Sequence, residues 1–183
     1  MKEFNPTDKN GGTLPIRVVV GLGNPGEEYE HTYHNVGILF LRELETICEA
    51  VPKIHSLKKF EYSKIGSQVL ARPCTFMNES GEAVREVLRF FKETPDHLLV
   101  VHDDSDLLLG TYKIDFGRGT AGHRGVASII GLLHTKNFYR LRIGIRPPTL
   151  EGGKRMKASE FVLKKIKKRD LETLSDVFRT ITE

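Results

Sequence analysis

The sequence lacks the features that mark several large classes of protein. It has only two cysteines, Cys48 and Cys74, which are too few for a disulfide framework and indicate reduced thiols. No apolar run approaches the roughly 20 residues that a membrane-spanning helix needs. The polar residues 1–15 contain no apolar stretch of the kind found in secretion signals. We therefore expect a cytoplasmic protein that has no contact with a membrane.

The composition is that of one folded domain. The 183 residues are 39% hydrophobic and 28% charged, which provides enough apolar residues for one core. The chain is too short for two domains of ordinary size. Residues 1–15 are rich in glycine and asparagine, and we expect them to form a flexible arm. Residues 16–183 are expected to form the domain, and we expect it to be a monomer.

The net charge of +4 is small, but the basic residues are unevenly distributed. They gather in the last third of the chain, at Arg118, Arg124, Arg140, Arg142, Arg146 and within residues 154–169. A basic half beside a more neutral half is typical of proteins with a polyanionic partner. A solvated charged face explains the same pattern equally well, and charge alone leaves both interpretations open.

The hydrophobic pattern alternates between strands and helices. Short β-branched or apolar runs predict strands at residues 16–21, 61–65, 68–72, 97–102, 111–116 and 139–145. Helical spacing predicts helices at residues 36–48, 80–91, 126–134 and 169–181, the second of them capped by Ser80. This order predicts a single three-layer α/β/α domain with a mixed, mostly parallel central sheet.

Polar loops follow several of the predicted strands. They cover residues 24–34, 102–106 and 117–124, and residues 75–78 form a fourth polar segment that enters a helix. In sheets of this kind ligands bind at the carboxyl ends of the strands. We therefore expect these segments to meet in one crevice.

A glycine-rich run at residues 21–26 (GLGNPG) has the spacing of a dinucleotide-binding loop. Such a loop must open a helix whose first amides face a pyrophosphate. Pro25 removes one of these amides, and residues 27–30 (EEYE) bring negative charge to the same place. The run is better explained as a sharp turn that presents Asn24, and no cofactor is expected.

A histidine and a carboxylate form the main candidate for catalysis. Asp103 leaves a buried strand, and His34 precedes a predicted helix. A carboxylate that faces an imidazole fixes its tautomer and raises its basicity. A structural role is the more common one for a lone histidine. Met77 and Asn78 also have two possible roles. They are either ordinary residues at the start of a helix, or Met77 offers an apolar surface for a base and Asn78 donates a hydrogen bond to a carbonyl oxygen.

Taken together, the motifs resemble the bacterial-type peptidyl-tRNA hydrolases. Any one of them is weak, but their order and spacing over residues 16–163 make the resemblance specific. The matching segments are residues 20–26 (VGLGNPG) with Tyr29, 34–37 (HNVG), 75–81 (TFMNESG), 102–106 (HDDSD), 122–125 (GHRG) and 140–145 (RLRIGI).

The resemblance implies a metal-independent enzyme that hydrolyses the ester between peptide and tRNA, which recycles tRNA during translation. His34 would activate a water molecule, and Asp103 would orient His34. Substrate would be bound by Asn24, Tyr29, Met77, Asn78 and Arg124. Phosphates of the tRNA would be held by Arg142, with Lys113 and Arg118 as further candidates. No G-x-S-x-G turn is present, so an acyl-serine route has no support.

The sequence departs from the family pattern at three places. Arg124 stands where the family usually has an asparagine that helps to bind the peptide backbone. Asp115 stands where a lysine commonly accompanies the arginine matched by Arg142, so that another basic residue must replace that lysine. Many relatives also continue beyond the position of Glu183, from which we expect a lower affinity for RNA.

Two alternative functions are compatible with the sequence. Some members of the family bind RNA in splicing without hydrolysis, and Arg124 with the basic C-terminal half favours this modestly, whereas the retained His34 and Asp103 count against it. The second alternative is a metallohydrolase, for which zinc or paired-metal ligands are available. Its ligands would be drawn from His31, His34, His102, Asp103, Asp106 and His123, although no H-E-x-x-H helix is present.

Overall fold

A computed structural model describes residues 3–7, 11–148 and 157–183. Its strands are β1 (Val18–Gly21), β2 (Lys53–Ile54), β3 (Phe60–Ile65), β4 (Gln68–Pro73), β5 (Leu98–Leu108), β6 (Tyr112–Phe116) and β7 (Tyr139–Arg146). Its helices are α1 (Val36–Ile47), α2 (Ser80–Phe91), α3 (Arg124–Leu133), α4 (Ala158–Phe161) and α5 (Lys168–Thr182). No helix in these ranges is long and apolar enough to cross a membrane.

The seven strands form one sheet in the order β2-β3-β4-β1-β5-β7-β6. The four central strands β4, β1, β5 and β7 run parallel to one another. The outer strands β2, β3 and β6 pair in antiparallel fashion. The predicted α/β class with a mixed sheet is therefore confirmed, and β3 and β4 form the predicted hairpin.

Side chains from the central strands are buried on both faces of the sheet. Val19 and Leu99 point into a core shared with α1 and α5, whereas Val18 and Val100 point into a second core shared with α2 and α3. Because both faces are covered, the parallel strands appear in the sequence as continuous apolar runs. The helices therefore form one layer on each side of the sheet.

The structure corrects two local predictions. Strand β5 continues to Leu108, so residues 102–106 are part of a strand and not of a loop. Asp104 pairs with Gly144 of β7 before the register shifts, and this parallel pairing keeps the polar residues extended. Ser80 is the first residue of α2 and not its cap, because its hydroxyl donates to the Met77 carbonyl oxygen at 2.9 Å.

Two glycines allow α1 to lie unusually close to the sheet. A Cβ atom on Gly37 would be 2.3 Å from the carbonyl oxygen of Val101, and one on Gly21 would be 2.3 Å from the carbonyl oxygen of Gly37. Any larger side chain at either position would push the helix away from the strands. The close approach holds the start of α1, and with it His34, beside Asp103 of β5.

The described part of the N-terminal arm is packed against the domain. Phe4 is buried, and its ring meets Phe40 of α1 edge-on at 5.6 Å. The side chain of Gln68 accepts a hydrogen bond from the Phe4 amide at 2.9 Å and donates to the Phe4 carbonyl oxygen at 2.8 Å. Thr7 and Thr13 form a β-bridge that folds the arm back on itself. The expected flexibility therefore does not extend to Phe4.

We predict that Phe4→Ala destabilises the fold without affecting the site. Removing a buried phenylalanine side chain costs about 3 kcal/mol through lost burial and the cavity that remains. Urea unfolding should show this loss in the free energy of unfolding. Phe90→Ala is the matched control, because Phe90 is half-exposed and should cost clearly less. Equal unfolding midpoints for Phe4→Ala and the parent would show that the arm contributes nothing.

Candidate active site

Asp103 lies at the centre of the candidate site, near the end of the parallel part of β5. Its carboxylate is almost fully buried, and the single oxygen Oδ1 receives two hydrogen bonds. His34 Nδ1 lies 2.8 Å from this oxygen, and His123 Nε2 lies 3.0 Å from it. The two imidazole rings are 4.9 Å apart. The structure therefore brings together the predicted pair His34 and Asp103, and adds His123.

The hydrogen bonds fix where the protons lie on both rings. His123 Nδ1 accepts the amide of Val126 at 3.3 Å, as the cap of α3, so its Nε2 must carry the proton donated to Asp103. His34 in turn donates from Nδ1 to the ionised carboxylate, which leaves Nε2 as a lone pair. Nε2 of His34 has no partner among the described residues, and the side chain is 13% exposed. Such a nitrogen can accept a proton from water.

The electrostatics of the pair support a basic His34. Burial alone would lower the pKa of His34, but the charge and hydrogen bond of Asp103 outweigh burial and raise the pKa above its ordinary value. The guanidinium of Arg124 acts in the opposite direction. Burial raises the pKa of Asp103, but His34 and His123 overcome it and hold that pKa well below its usual range. Asp103 therefore stays ionised at neutral pH.

A third histidine lies behind the pair. His102 is buried, and its ring meets that of His123 edge-on at 4.6 Å. Its Nδ1 lies 2.6 Å from the carbonyl oxygen of Asp103 and donates to it, so that His102 helps to fix the backbone of Asp103. Burial and the neighbouring His123 hold the pKa of His102 well below its ordinary value. His102 is therefore neutral.

Asn24 is held in place by Asn35, the sequence neighbour of His34, and by Met77. Its backbone amide donates to Asn35 Oδ1 at 2.8 Å, and its carbonyl oxygen accepts from Asn35 Nδ2 at 2.9 Å. Its side-chain oxygen accepts the Met77 amide at 2.8 Å. These contacts orient the side chain so that Nδ2 remains to donate. The turn over residues 21–26 therefore fixes the orientation of the Asn24 side chain.

The remaining predicted substrate residues surround this core. Met77 is buried, whereas Asn78 is exposed on the following turn. Tyr29 meets the exposed ring of Phe76 edge-on at 6.4 Å. Arg124 is exposed at the first position of α3, directly after His123.

The predicted phosphate-binding residues lie at one side of the sheet, with Arg142 on β7, Lys113 on β6 and Arg118 just after β6. Arg142 donates from Nε to Asp104 and from Nη1 to Asp115, both at 2.7 Å. Asp115, which stands where the family commonly has lysine, therefore fixes Arg142 in place. Lys113 is exposed and lies opposite Arg142 in the strand register. Arg118 is 70% exposed, and among the described residues it forms one long ion pair, with Asp115 at 3.8 Å.

Two contributors were not given these roles from the sequence. The sequence suggests His123 only as a metal ligand, although it stands in the GHRG motif and precedes a helix whose first turn needs a cap. The sequence shows Asn35 only as part of the HNVG motif. Asn35 contacts Asn24, which is 11 residues away in the sequence. The residue pattern within either segment does not predict this contact.

The ligand atoms of His34, Asp103 and His123 lie within 4.8 Å of one another, close enough for a metal ion. Metal coordination would require His123 to release its Nε2 proton. It would also require His34 to release the proton on Nδ1, so that this nitrogen offers a lone pair to the metal. Both nitrogens are directed at one carboxylate oxygen at hydrogen-bond distance. The arrangement therefore fits a proton network better than a metal centre.

The fold and the site define an α/β protein with a buried histidine–aspartate pair, an arrangement suited to general-base catalysis. A family model described as peptidyl-tRNA hydrolase matches residues 18–183. A peptidyl-tRNA hydrolase of Lawsonia intracellularis is 44% identical over 170 residues, covering 90% of this chain and 82% of that protein. One of Aquifex aeolicus is 40% identical over 169 residues, covering 91% and 86%.

A crystal structure supports the same assignment. That of peptidyl-tRNA hydrolase from Acinetobacter baumannii matches with a TM-score of 0.80 and 31% identity, covering 90% of this chain and 84% of that one. The chain belongs to the peptidyl-tRNA hydrolase family, and the resemblance found in the sequence is confirmed.

We predict opposite shifts of the His34 pKa in two variants. Asp103→Asn should lower it, because the charge that stabilises the imidazolium is lost. Arg124→Asn should raise it, because a repelling cation is removed. Titration of the imidazole resonances by NMR measures both shifts, and Arg89→Asn on α2 is a control with no effect. Shifts of the same sign in both variants would contradict this account of the electrostatics.

Proposed function

We propose that this protein hydrolyses the ester bond between the peptide and the tRNA in peptidyl-tRNA. The observation that carries the proposal is the 2.8 Å contact between His34 Nδ1 and Asp103, which leaves Nε2 basic and accessible. An aminoacyl ester is an activated acyl group, so a general base and carbonyl stabilisation suffice. Membership of the family gives the substrate class.

The reaction follows from the positions of the protons. His34 Nε2 takes a proton from water as the water oxygen attacks the ester carbonyl carbon. The carbonyl oxygen becomes an oxyanion, to which Asn24 Nδ2 donates. The tetrahedral intermediate then expels the ribose oxygen, which receives the proton from His34. The products are the hydroxyl of the tRNA end and the free peptide acid, which releases its remaining proton to solvent at neutral pH to give the carboxylate.

Two effects supply the rate enhancement. General-base catalysis is worth about 10²- to 10⁴-fold. A preorganised donor at the oxyanion adds about 3 kcal/mol. Asn24 meets this requirement because the amide of Met77 and the side chain of Asn35 hold it in place before substrate binds.

The residues around this centre are proposed to hold the rest of the substrate. Asn78 is exposed and can donate to the peptide backbone. The exposed ring of Phe76, with Tyr29 edge-on to it and the buried Met77 next to it in sequence, offers an aromatic surface for the terminal base of the tRNA. Arg124 carries donors only, so it cannot copy the acceptor of the family asparagine, and we assign it to peptide carbonyls or nearby phosphate.

Strands β6 and β7, with the residues that follow β6, are proposed to hold tRNA phosphates. Arg142 uses Nε and Nη1 on its two carboxylates, and its Nη2 has no partner within the described ranges. It can therefore contact phosphate from a fixed position, while the exposed Lys113 and Arg118 supply mobile charge. We also propose a cytoplasmic location, because translation, which produces peptidyl-tRNA, takes place there.

We predict that His34→Ala lowers kcat by about 10² or more while tRNA binding persists. The parent rate should fall as the pH drops through the raised pKa of His34, because only the neutral imidazole acts as the base. Released peptide is measured with a purified peptidyl-tRNA, and filter binding measures affinity. Turnover within threefold of the parent would remove His34 from the mechanism.

The same assay separates the alternatives. A splicing-type RNA binder would bind tRNA and release no peptide at any pH. A metallohydrolase would lose activity on dialysis against a chelator and regain it with zinc. The proposed enzyme should be unaffected by the chelator.

We also predict that Arg118→Ala flattens the salt dependence of tRNA affinity. Loss of one phosphate contact should change the slope of log K against log salt by about one. Arg89→Ala is the matched control, since Arg89 is equally exposed but pairs with Glu86 on α2. Identical slopes for Arg118→Ala and the parent would show that this cation faces solvent only.

A further inference from the structure

The segment between α4 and α5 closes over the turn that carries His34. The backbone amide of His34 donates to the Val162 carbonyl oxygen at 2.8 Å, and that of Ile166 donates to the His31 carbonyl oxygen at 2.7 Å. Thr32 and Lys165 form a β-bridge between the two segments. The catalytic scheme above uses none of these contacts.

One side-chain contact adds to this backbone clamp. Tyr33, the neighbour of His34, is buried, and its ring meets Phe161 edge-on at 5.8 Å. Its hydroxyl donates to the carboxylate of Asp170 in the first turn of α5. Burial and Asp170 raise the pKa of Tyr33 to about 12, so the hydroxyl keeps its proton throughout the neutral range.

Helix α5 is a firm support for this contact. Leu174, Val177 and Phe178 are buried in the core, and the ring of Phe178 meets Phe40 of α1 edge-on at 5.4 Å. Asp170 is therefore fixed relative to α1, which begins just after His34. The turn is held on its other side by the close approach of Gly37 to β5.

We propose that Asp170 is a positioning residue for His34, acting through the hydroxyl of Tyr33. This inference rests on the proposed function. Asp103 constrains only the ring of His34, whereas the tilt of the turn decides how closely Nδ1 can approach Asp103. The bond between Tyr33 and Asp170 sets that tilt from the N-terminal side.

The surroundings of His34 make this role measurable. The charged or titratable groups that face its ring are Asp103 on β5, His123 before α3 and Arg124 on α3. Among these, Asp103 and Arg124 are the charges that shift its pKa. Asp170 is not one of them. A change in the His34 pKa on substitution of Asp170 would therefore report altered geometry and not a lost charge.

The test uses Tyr33→Phe and Asp170→Ala, which each break the bond, and Asp170→Asn, which keeps an acceptor oxygen. Breaking it should lower kcat about tenfold, because small misplacement of a catalytic group is costly. The bond from His34 to Asp103 should loosen, so that the His34 pKa falls and the acidic limb of the pH–rate profile moves to lower pH. Asp170→Asn should restore most of both.

Two further variants sharpen the test. The double variant Tyr33→Phe with Asp170→Ala should be no worse than either single variant, since all three lose one contact. Glu172→Ala is the matched control, because Glu172 is an exposed acid on the same helix. It should leave kcat and the His34 pKa unchanged.

Several outcomes would overturn the inference. One is a parental kcat with a parental His34 pKa in Tyr33→Phe and Asp170→Ala. Another is a lower melting temperature with an unmoved pKa and pH profile, which would mean that the bond only stabilises the fold. If the parent itself released no peptide, the proposed function would fail, and NMR titration of His34 in the same variants would still decide the positioning role.

Discussion

The site depends on one buried charge, the carboxylate of Asp103. An unpaired carboxylate in the interior costs several kcal/mol, so the fold must surround it with donors. His34 and His123 meet this need, and they come from the starts of two helices on opposite faces of the sheet. Two hydrogen bonds to one acid thus tie the starts of α1 and α3 to the middle of β5. The same bond leaves Nε2 of His34 without a partner among the described residues.

Much of the fold could be predicted from the sequence, because its central strands are buried on both faces. Parallel strands such as β1 then appear as apolar runs that need no knowledge of partners. The end of β5 could not be predicted in this way, since residues 102–106 are as polar as a loop. They stay extended because their backbone pairs with β7, where Asp104 also accepts a hydrogen bond from Arg142, a partner 38 residues away. Long-range pairing of this kind leaves no local pattern.

The site was predictable where family motifs name the residue and unpredictable where a contact joins two motifs. Asn24 and Met77 each stand in a family motif, yet only the structure shows that the backbone amide of Met77 donates to the side-chain oxygen of Asn24. The departures behave similarly. In the sequence, Asp115 indicates the loss of a cation, but in the fold it orients Arg142. Arg124 indicates the loss of an amide side chain, but in the fold its charge acts to lower the pKa of His34.

The packing of the arm against Gln68 has an evolutionary consequence. The buried side-chain amide of Gln68 accepts a hydrogen bond from the Phe4 amide and donates to the carbonyl oxygens of Phe4 and Ile16. A descendant that lost the arm would leave that amide partly unsatisfied, at a cost of about 1–3 kcal/mol. A descendant that first replaced Gln68 would loosen the arm instead. Either change alone lowers the stability of the fold. We therefore expect the arm and Gln68 to be retained together.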